Sequence, residues 1–128
     1  MDFSFPKNER IKSKKLMEAI FTEGKNLNNF PLKLIYLPSD FDDDTQFKVA
    51  VVAPKRNFKK AVDRNRIKRL MREAYRLNKG VIFNNSERDF ALVFLYLGKE
   101  MPDFQLMESK MTGLLEKFLK KIANEEAV

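Results

Sequence analysis

The chain contains no cysteine, which excludes a disulfide framework and any metal site built from thiolates. This composition suits a reducing compartment, so we expect the protein in the cytoplasm. The opening six residues lack the charged segment and following apolar stretch of a secretory signal. The longest apolar run, residues 90–97, is strand-sized and far shorter than the ~18 residues that a membrane span needs. We therefore expect no membrane partner.

Histidine is absent as well, and it is the only side chain whose unperturbed pKa lies near neutrality. A nuclease acting without metal would have to use carboxylates, lysines or tyrosines with strongly perturbed pKa values. The sequence offers no convincing pair of carboxylates, no phosphate-binding glycine loop and no nucleophile motif. A nuclease that uses carboxylates remains an alternative, but these absences argue against it.

The residues that are present predict one folded domain spanning residues 1–128, because 44% of the 128 residues are hydrophobic and no segment repeats. Periodicity and turn signals give the order helix, strand, strand, helix, strand, helix, which is a single-domain α+β sandwich with a mixed sheet of three to four strands. The predicted helices are residues 12–21, residues 57–79 and a final helix that follows Asp103. The predicted strands are residues 30–37, 47–53 and 89–96.

Caps and apolar spacing support these helices. Ser13 is expected to cap the first helix and Gly24 to end it, while Asn57 and Asp103 are expected to cap the second and third. Pro31 suits an edge or entry position of its strand better than a central one. One side of the final helix is expected to carry Met107, Met111, Leu114, Leu115, Phe118 and Ile122.

Positive charge is concentrated in residues 55–79. This segment holds 11 lysines and arginines against two acids, whereas the other 103 residues hold 14 bases and 16 acids. A solvated helix usually mixes charges of both signs, so this concentration favours a polyanion as the partner. A merely solvated helix and a membrane-surface helix are the alternatives, but the apolar side has no Trp or Phe for a membrane.

Placing the residues at 100° intervals from Arg64 divides this helix into two arcs. The apolar arc consists of Ile67, Leu70, Met71, Ala74 and Leu77. The cationic arc consists of Arg64, Asn65, Lys68, Arg69, Arg72, Arg76 and Lys79, with Tyr75 at its edge. Arg66 lies apart from it, near Glu73. Arginine offers a planar fork of donors for phosphate and lysine a mobile point charge, so the cationic arc suits RNA.

Residues 61–74 read Ala-Val-Asp-Arg-Asn-Arg-Ile-Lys-Arg-Leu-Met-Arg-Glu-Ala. This segment resembles the signature of the bacterial ribonuclease P protein family, in which Arg-Asn-Arg opens a basic amphipathic helix. Residues 7–24 and 49–56 resemble other parts of the same family, so the resemblance covers about two thirds of the chain. Residues 55–60 depart from the family pattern, because the usual glycine of that turn is missing.

The resemblance implies a ribonucleoprotein that removes the 5′ leader from precursor tRNA. Its RNA subunit is the catalyst and holds Mg²⁺, so no catalytic residue, no metal ligand and no organic cofactor are expected in the protein. The implied partners are the ribonuclease P RNA and precursor tRNA, and not DNA. The family also implies a left-handed crossover around the basic helix, where general statistics predict a right-handed one.

The family members contact the catalytic RNA through the basic helix and its loop, and hold the leader between the first helix and the sheet. Carried over by position, the RNA-contacting residues are Lys55, Arg56, Arg64, Asn65, Arg66, Lys68, Arg69 and Arg72. The basic residues Lys59, Lys60 and Arg76 complete the predicted RNA-binding set. The predicted leader cleft comprises Met17, Phe21, Leu32 and Ile35, of which Phe21 is either a stacking surface or ordinary core.

Two other charged groups have simpler interpretations. The acidic residues Asp40, Asp42, Asp43 and Asp44 lack the glycine and distal glutamate of a calcium loop, so we expect a solvated turn. The basic residues Lys7, Arg10, Lys12, Lys14 and Lys15 either extend the RNA surface or form a soluble helix face. A ribosome-associated or general RNA-binding module without a role in catalysis is the alternative function.

Overall fold

The structure is a computed structural model that describes residues 5–83, 85, 86 and 88–126, with only the backbone of Glu126. In this part of the chain the helices are α1 (Lys14–Glu23), α2 (Ala61–Asn78) and α3 (Phe104–Glu126). The strands are β1 (Lys25–Asn29), β2 (Leu32–Pro38), β3 (Phe47–Val52) and β4 (Phe90–Tyr96). Short 3-10 turns occupy Lys7–Glu9 and Lys79–Val81. The predicted α+β fold is confirmed, with β1 as an additional strand.

The four strands form one mixed sheet in the order β1-β2-β4-β3. β2 is antiparallel to both of its neighbours, whereas β3 and β4 are parallel and are connected through α2. Pro31 lies in the turn that enters β2, where it needs no ladder hydrogen bond from its nitrogen. The hand of the β3–α2–β4 connection stays a prediction.

Successive residues of each strand point to opposite faces of the sheet, and the two faces carry different layers. Leu34 and Tyr36 of β2 pack with Phe94 of β4 in the larger core, which α2 and α3 cover. The six apolar residues predicted on one side of α3 are all buried in it. On the opposite face, Ile20 of α1 packs with Ile35 and other residues of a smaller core. The α1 face therefore has less helical cover than the α2 and α3 face.

Two of the three predicted helix N-caps are confirmed. Ser13 accepts a hydrogen bond from the Leu16 amide at 3.1 Å, and Asp103 accepts one from the Leu106 amide at 2.8 Å. Asn57 does not cap α2, because the helix begins only at Ala61 and the segment before it is a loop. The Asn57 side chain donates instead to the Leu97 carbonyl oxygen at 3.4 Å.

The buried side of α2 is rotated relative to the predicted apolar arc. Ile67, Met71 and Ala74 are buried as predicted, but Leu70 is half-buried and Leu77 is exposed. Tyr75, which we expected at the edge of the cationic arc, is fully buried. Its ring packs 5.7 Å from Phe94 and 5.7 Å from Phe5, so contacts with the N-terminal segment draw this side of the helix inward.

Candidate RNA-binding surface

The loop formed by residues 55–60 is held in place by contacts on several sides. The ring of Phe58 packs 6.1 Å from Tyr96, and Asn57 reaches the Leu97 carbonyl. From α2, one guanidinium nitrogen of Arg64 donates to the carbonyl oxygens of Phe58 and Lys59, both at 2.8 Å. Arg64 thus fixes the backbone of the loop as well as carrying a charge.

Most of the predicted RNA-binding side chains face solvent along this loop and helix. Ten of the predicted residues are exposed or half-buried and, in the described part of the chain, form no ion pair with a carboxylate. The exposed members are Lys55, Arg56, Lys59, Lys60, Asn65, Arg66 and Arg69, and the half-buried ones are Arg64, Lys68 and Arg72. Unpaired cations of this density form a ready surface for phosphates, because they need not first release a protein carboxylate.

Arg76 is a weaker candidate than its neighbours, because Glu73 already holds it. Its Nε donates to one Glu73 oxygen at 3.1 Å, and its Nη2 donates to the other. This hydrogen-bonded pair lowers the pKa of Glu73 and raises the pKa of Arg76. The sequence placed Glu73 near Arg66, but the structure pairs it with Arg76, one turn along the helix.

Lys79 does not belong to the basic surface, contrary to its predicted position in the cationic arc. Its side chain is only 2% exposed, and its Nζ donates to the two carboxylate oxygens of Glu9 at 2.9 and 3.3 Å. The same nitrogen lies 5.1 Å from the centre of the Phe83 ring. Because α2 ends at Asn78 and a 3-10 turn follows, the regular angular spacing no longer applies to this residue.

The N-terminal basic group adjoins α2 at the edge of the sheet. The backbone of Arg10 bridges to Val49 of β3, and a cavity of about 260 Å³ beside it is lined in part by Arg10, Lys12 and Arg72. Burial, together with the nearby charge of Arg10, lowers the pKa of Arg72. Two guanidinium groups facing one cavity extend the cationic surface from α2 to the start of α1.

The predicted leader cleft is only partly assembled as expected. Met17 of α1 is half-buried, Phe21 is 49% exposed, and Ile35 lies beneath the helix on the same face of the sheet. The exposure of Phe21 excludes the alternative that it is an ordinary core residue. Leu32 was wrongly included, because it is 1% exposed and packs in the core on the opposite face.

The alternation of β2 explains the error at Leu32. Residues two apart share a face, so Ile35 shares its face with Lys33 and Leu37 rather than with Leu32. Lys33 is half-buried and lies opposite Leu95 of β4 in the sheet. Counting back two residues from Ile35 in the sequence therefore identifies Lys33 as a residue on the same face, which the predicted leader cleft did not include. The same face also presents half-buried Val52, and with Lys33 it combines apolar surface with positive charge.

In the acidic segment 40–44, Asp43 is hydrogen-bonded to neighbouring residues of the protein. Asp43 accepts hydrogen bonds from the Thr45 amide at 3.0 Å and from Lys48 at 3.2 Å, and the bonds with Thr45 are the main reason that its pKa is lowered. Across the described ranges, no three His, Cys, Asp or Glu residues come together in a way that could hold a metal ion. Likewise, none of the helices described is long and apolar enough to cross a membrane.

The fold and the surface together define a small α+β protein with a basic loop and helix suited to a polyanion. Residues 5–119 match the family model described as Ribonuclease P. The ribonuclease P protein component of Porphyromonas gingivalis is 35% identical over 112 residues, covering 85% of this chain and 82% of that protein.

Two solved structures are similar to most of the chain. The ribonuclease P protein of Thermotoga maritima has 30% identity and a TM-score of 0.69, covering 85% of this chain and 96% of that one. The ribonuclease P protein of Staphylococcus aureus has the same TM-score at 18% identity, covering 85% and 94%, and supports the fold alone. The chain therefore belongs to the ribonuclease P protein family.

The two contacts of Arg64 with the loop give a prediction that charge alone does not. We expect Arg64→Lys to weaken RNA binding although the net charge is unchanged, because the shorter lysine side chain does not place its ammonium nitrogen where the Arg64 Nη1 donates to both carbonyl oxygens. Filter-binding titrations at several salt concentrations measure this. The log-log salt slope should stay within about one unit of the original, since no charge is lost. Wild-type affinity for Arg64→Lys would show that Arg64 acts only as a charge.

Proposed function

We propose that this chain acts as the protein subunit of ribonuclease P, a ribonucleoprotein endoribonuclease, and supports removal of the 5′ leader of precursor tRNA. The observation that carries this proposal is the anchored basic loop and α2 surface, whose exposed cations form no ion pairs in the described part of a chain that belongs to this family. The ribonuclease P RNA is the partner for this surface. A cytoplasmic location suits a chain without cysteine.

Hydrolysis in this proposal belongs to the RNA subunit, which holds the Mg²⁺. Two properties of the chain support this division of work. It contains neither histidine nor cysteine, and its described carboxylates form no group of three or more that is placed to hold a metal ion. Mg²⁺ prefers oxygen ligands, and RNA supplies phosphate oxygens in abundance. The protein then contributes affinity and positioning of the substrate.

The leader of precursor tRNA is proposed to lie in the cleft between α1 and the uncovered part of the sheet. Phe21 offers an exposed ring for base stacking, whereas Met17 and Ile35 provide aliphatic surface. Lys33 places a cation on the same face for the leader backbone. Stacking on an aromatic ring tolerates any base, which suits a protein that must accept leaders of many sequences.

The leader contact is tested by comparing two substrates. Holoenzyme assembled from this chain and a bacterial ribonuclease P RNA should bind precursor tRNA more tightly than mature tRNA. Phe21→Ala should reduce the precursor affinity by roughly fivefold or more, because it removes one stacking surface worth ~1 to 3 kcal/mol, and leave mature tRNA binding unchanged. Leu77→Ala, at an exposed apolar site of α2, is the control.

The possible results separate the functions. An equal loss for both substrates would mean that Phe21 contacts the tRNA body or the RNA subunit instead of the leader. Failure of the chain to assemble with the ribonuclease P RNA, combined with recovery of ribosomal RNA from cells, would favour a general RNA-binding module.

A further inference from the structure

An apolar cavity lies outside every residue assigned to RNA or leader binding so far. It measures about 500 Å³ and is walled mainly by Phe30, Pro31, Leu97, Met101, Pro102 and Leu106. The side chain of Phe30, at the turn between β1 and β2, is 69% exposed, and Met101 and Leu106 are also exposed. Because these exposed apolar side chains lie together around one cavity, they form a candidate binding surface.

Two residues of the cavity wall, Tyr96 and Leu97, are in contact with the basic loop. Asn57 of the loop donates to the Leu97 carbonyl at 3.4 Å, and the Leu97 amide donates to the Pro31 carbonyl at 2.7 Å. The adjacent loop residue Phe58 packs on Tyr96, which also lines the cavity. Direct contacts thus run from the loop to the apolar wall, and the cavity continues the cationic surface.

The charges around the cavity match a nucleic-acid strand. Lys55, Arg56, Lys59 and Lys60 are exposed on the loop that contacts this wall, and the described lining of the cavity includes the charged residues Lys99 and Glu100. The faces of nucleobases are flat and largely apolar, which suits a surface that includes the exposed ring of Phe30. Sites for single-stranded nucleic acid combine these two elements, a cationic track and an exposed aromatic ring.

We propose that this cavity receives one unpaired nucleobase of the bound RNA, which stacks on Phe30. The inference rests on the proposed function and adds a base contact on the loop side of the protein, separate from Phe21. A second copy of the chain is a poorer occupant, because a handful of exposed apolar side chains is far less than the surface that a stable dimer buries.

A tryptophan probe tests this directly, because the chain contains no tryptophan. In Phe30→Trp, saturation with a single-stranded oligoadenylate should quench the indole emission, with the midpoint of binding followed by fluorescence anisotropy of labelled RNA. An abasic ribose-phosphate strand of the same length should bind through its phosphates and leave the emission unchanged. Leu77→Trp, exposed on α2 and outside the cavity, is the matched control and should respond to neither strand.

Affinity adds a second readout. Phe30→Ala and Phe30→Leu should each bind oligoadenylate at least about fivefold more weakly than Phe30→Trp, with unchanged melting temperatures and unchanged salt slopes. Three results would overturn the inference: binding by anisotropy without a change in Phe30→Trp emission, quenching by the abasic strand, or self-association that Phe30→Ala abolishes. An absence of any RNA binding would instead overturn the proposed function and this inference with it.

Discussion

Replacing Lys79 with alanine is expected to destabilise the folded chain by roughly 3 to 5 kcal/mol, the usual cost of removing one partner of a buried ion pair. Lys79 is 2% exposed and donates to both carboxylate oxygens of Glu9, which is itself largely covered. Without the ammonium group, the Glu9 carboxylate is left in a poorly hydrated site. Its desolvation is then no longer offset by a nearby positive charge.

The negative charge of Glu9 also acts on Tyr75. The hydroxyl of Tyr75 is buried with no hydrogen-bond partner in the described structure. Burial and the negative charge of Glu9 both raise the pKa of Tyr75 well above its ordinary value, so the phenol stays neutral. Glu9 also belongs to the N-terminal 3-10 turn, whereas Lys79 follows α2. The ion pair therefore links the N-terminal segment to the end of the basic helix and stabilises their contact.

Urea unfolding of Lys79→Ala measures the loss. The double variant Glu9→Gln with Lys79→Met should recover much of it, because no unpaired charge remains buried. Under conditions where Lys79→Ala is still folded, RNA affinity should be close to that of the unaltered chain, since this cation does not face solvent. Normal stability together with weakened RNA binding would mean that Lys79 belongs to the RNA surface after all.

Removing three unpaired cations together, in the variant Lys60→Ala, Lys68→Ala and Arg69→Ala, is expected to weaken RNA binding on the order of 100-fold at ~0.15 M salt. Each phosphate contact contributes ~0.7 to 0.9 to the log-log salt slope, so the slope should become shallower by about two to three. The fold should be unaffected, because Lys60 and Arg69 are exposed, Lys68 is half-buried, and none of the three is ion-paired within the described residues.

Two controls distinguish the effect of where the removed cations lie from the effect of the total charge removed. Replacing Lys117, Lys120 and Lys121, all exposed on α3, removes the same charge from another surface and should change the slope little. Arg76→Ala removes a cation that Glu73 already holds, so its effect should be smaller than that of one unpaired cation. Equal losses in the α3 variant would show that RNA responds to total charge and not to the α2 surface.

The sequence predicted the fold class and the basic surface because both depend on patterns local to one element. The apolar spacing of α3 holds along its whole length, since a single straight helix keeps its faces aligned with the core. The concentration of charge in residues 55–79 needed no knowledge of tertiary contacts. The resemblance to the family then supplied the function, which charge alone did not.

The predictions from sequence were wrong mainly where contacts between residues distant in sequence determine the structure. β1 reads Lys-Asn-Leu-Asn-Asn, so its strand character depends on pairing with β2 and not on its own propensity. Lys79 and Tyr75 turn inward because Glu9 and Phe5, some 70 residues earlier, pack against them. Leu32 could have been excluded from the sequence, because alternation along β2 already separates it from Ile35.

Reconstitution of cleavage shows whether this chain supports tRNA 5′ maturation by binding RNA. A bacterial ribonuclease P RNA and a precursor tRNA are incubated at a Mg²⁺ concentration too low for the RNA to act alone, with and without the purified full-length chain. We expect the chain to restore cleavage at the mature 5′ end, and the variant lacking Lys60, Lys68 and Arg69 side chains to restore much less. No stimulation would show that the chain does not support this cleavage, and cleavage by the chain freed of RNA would show that the protein itself is the nuclease.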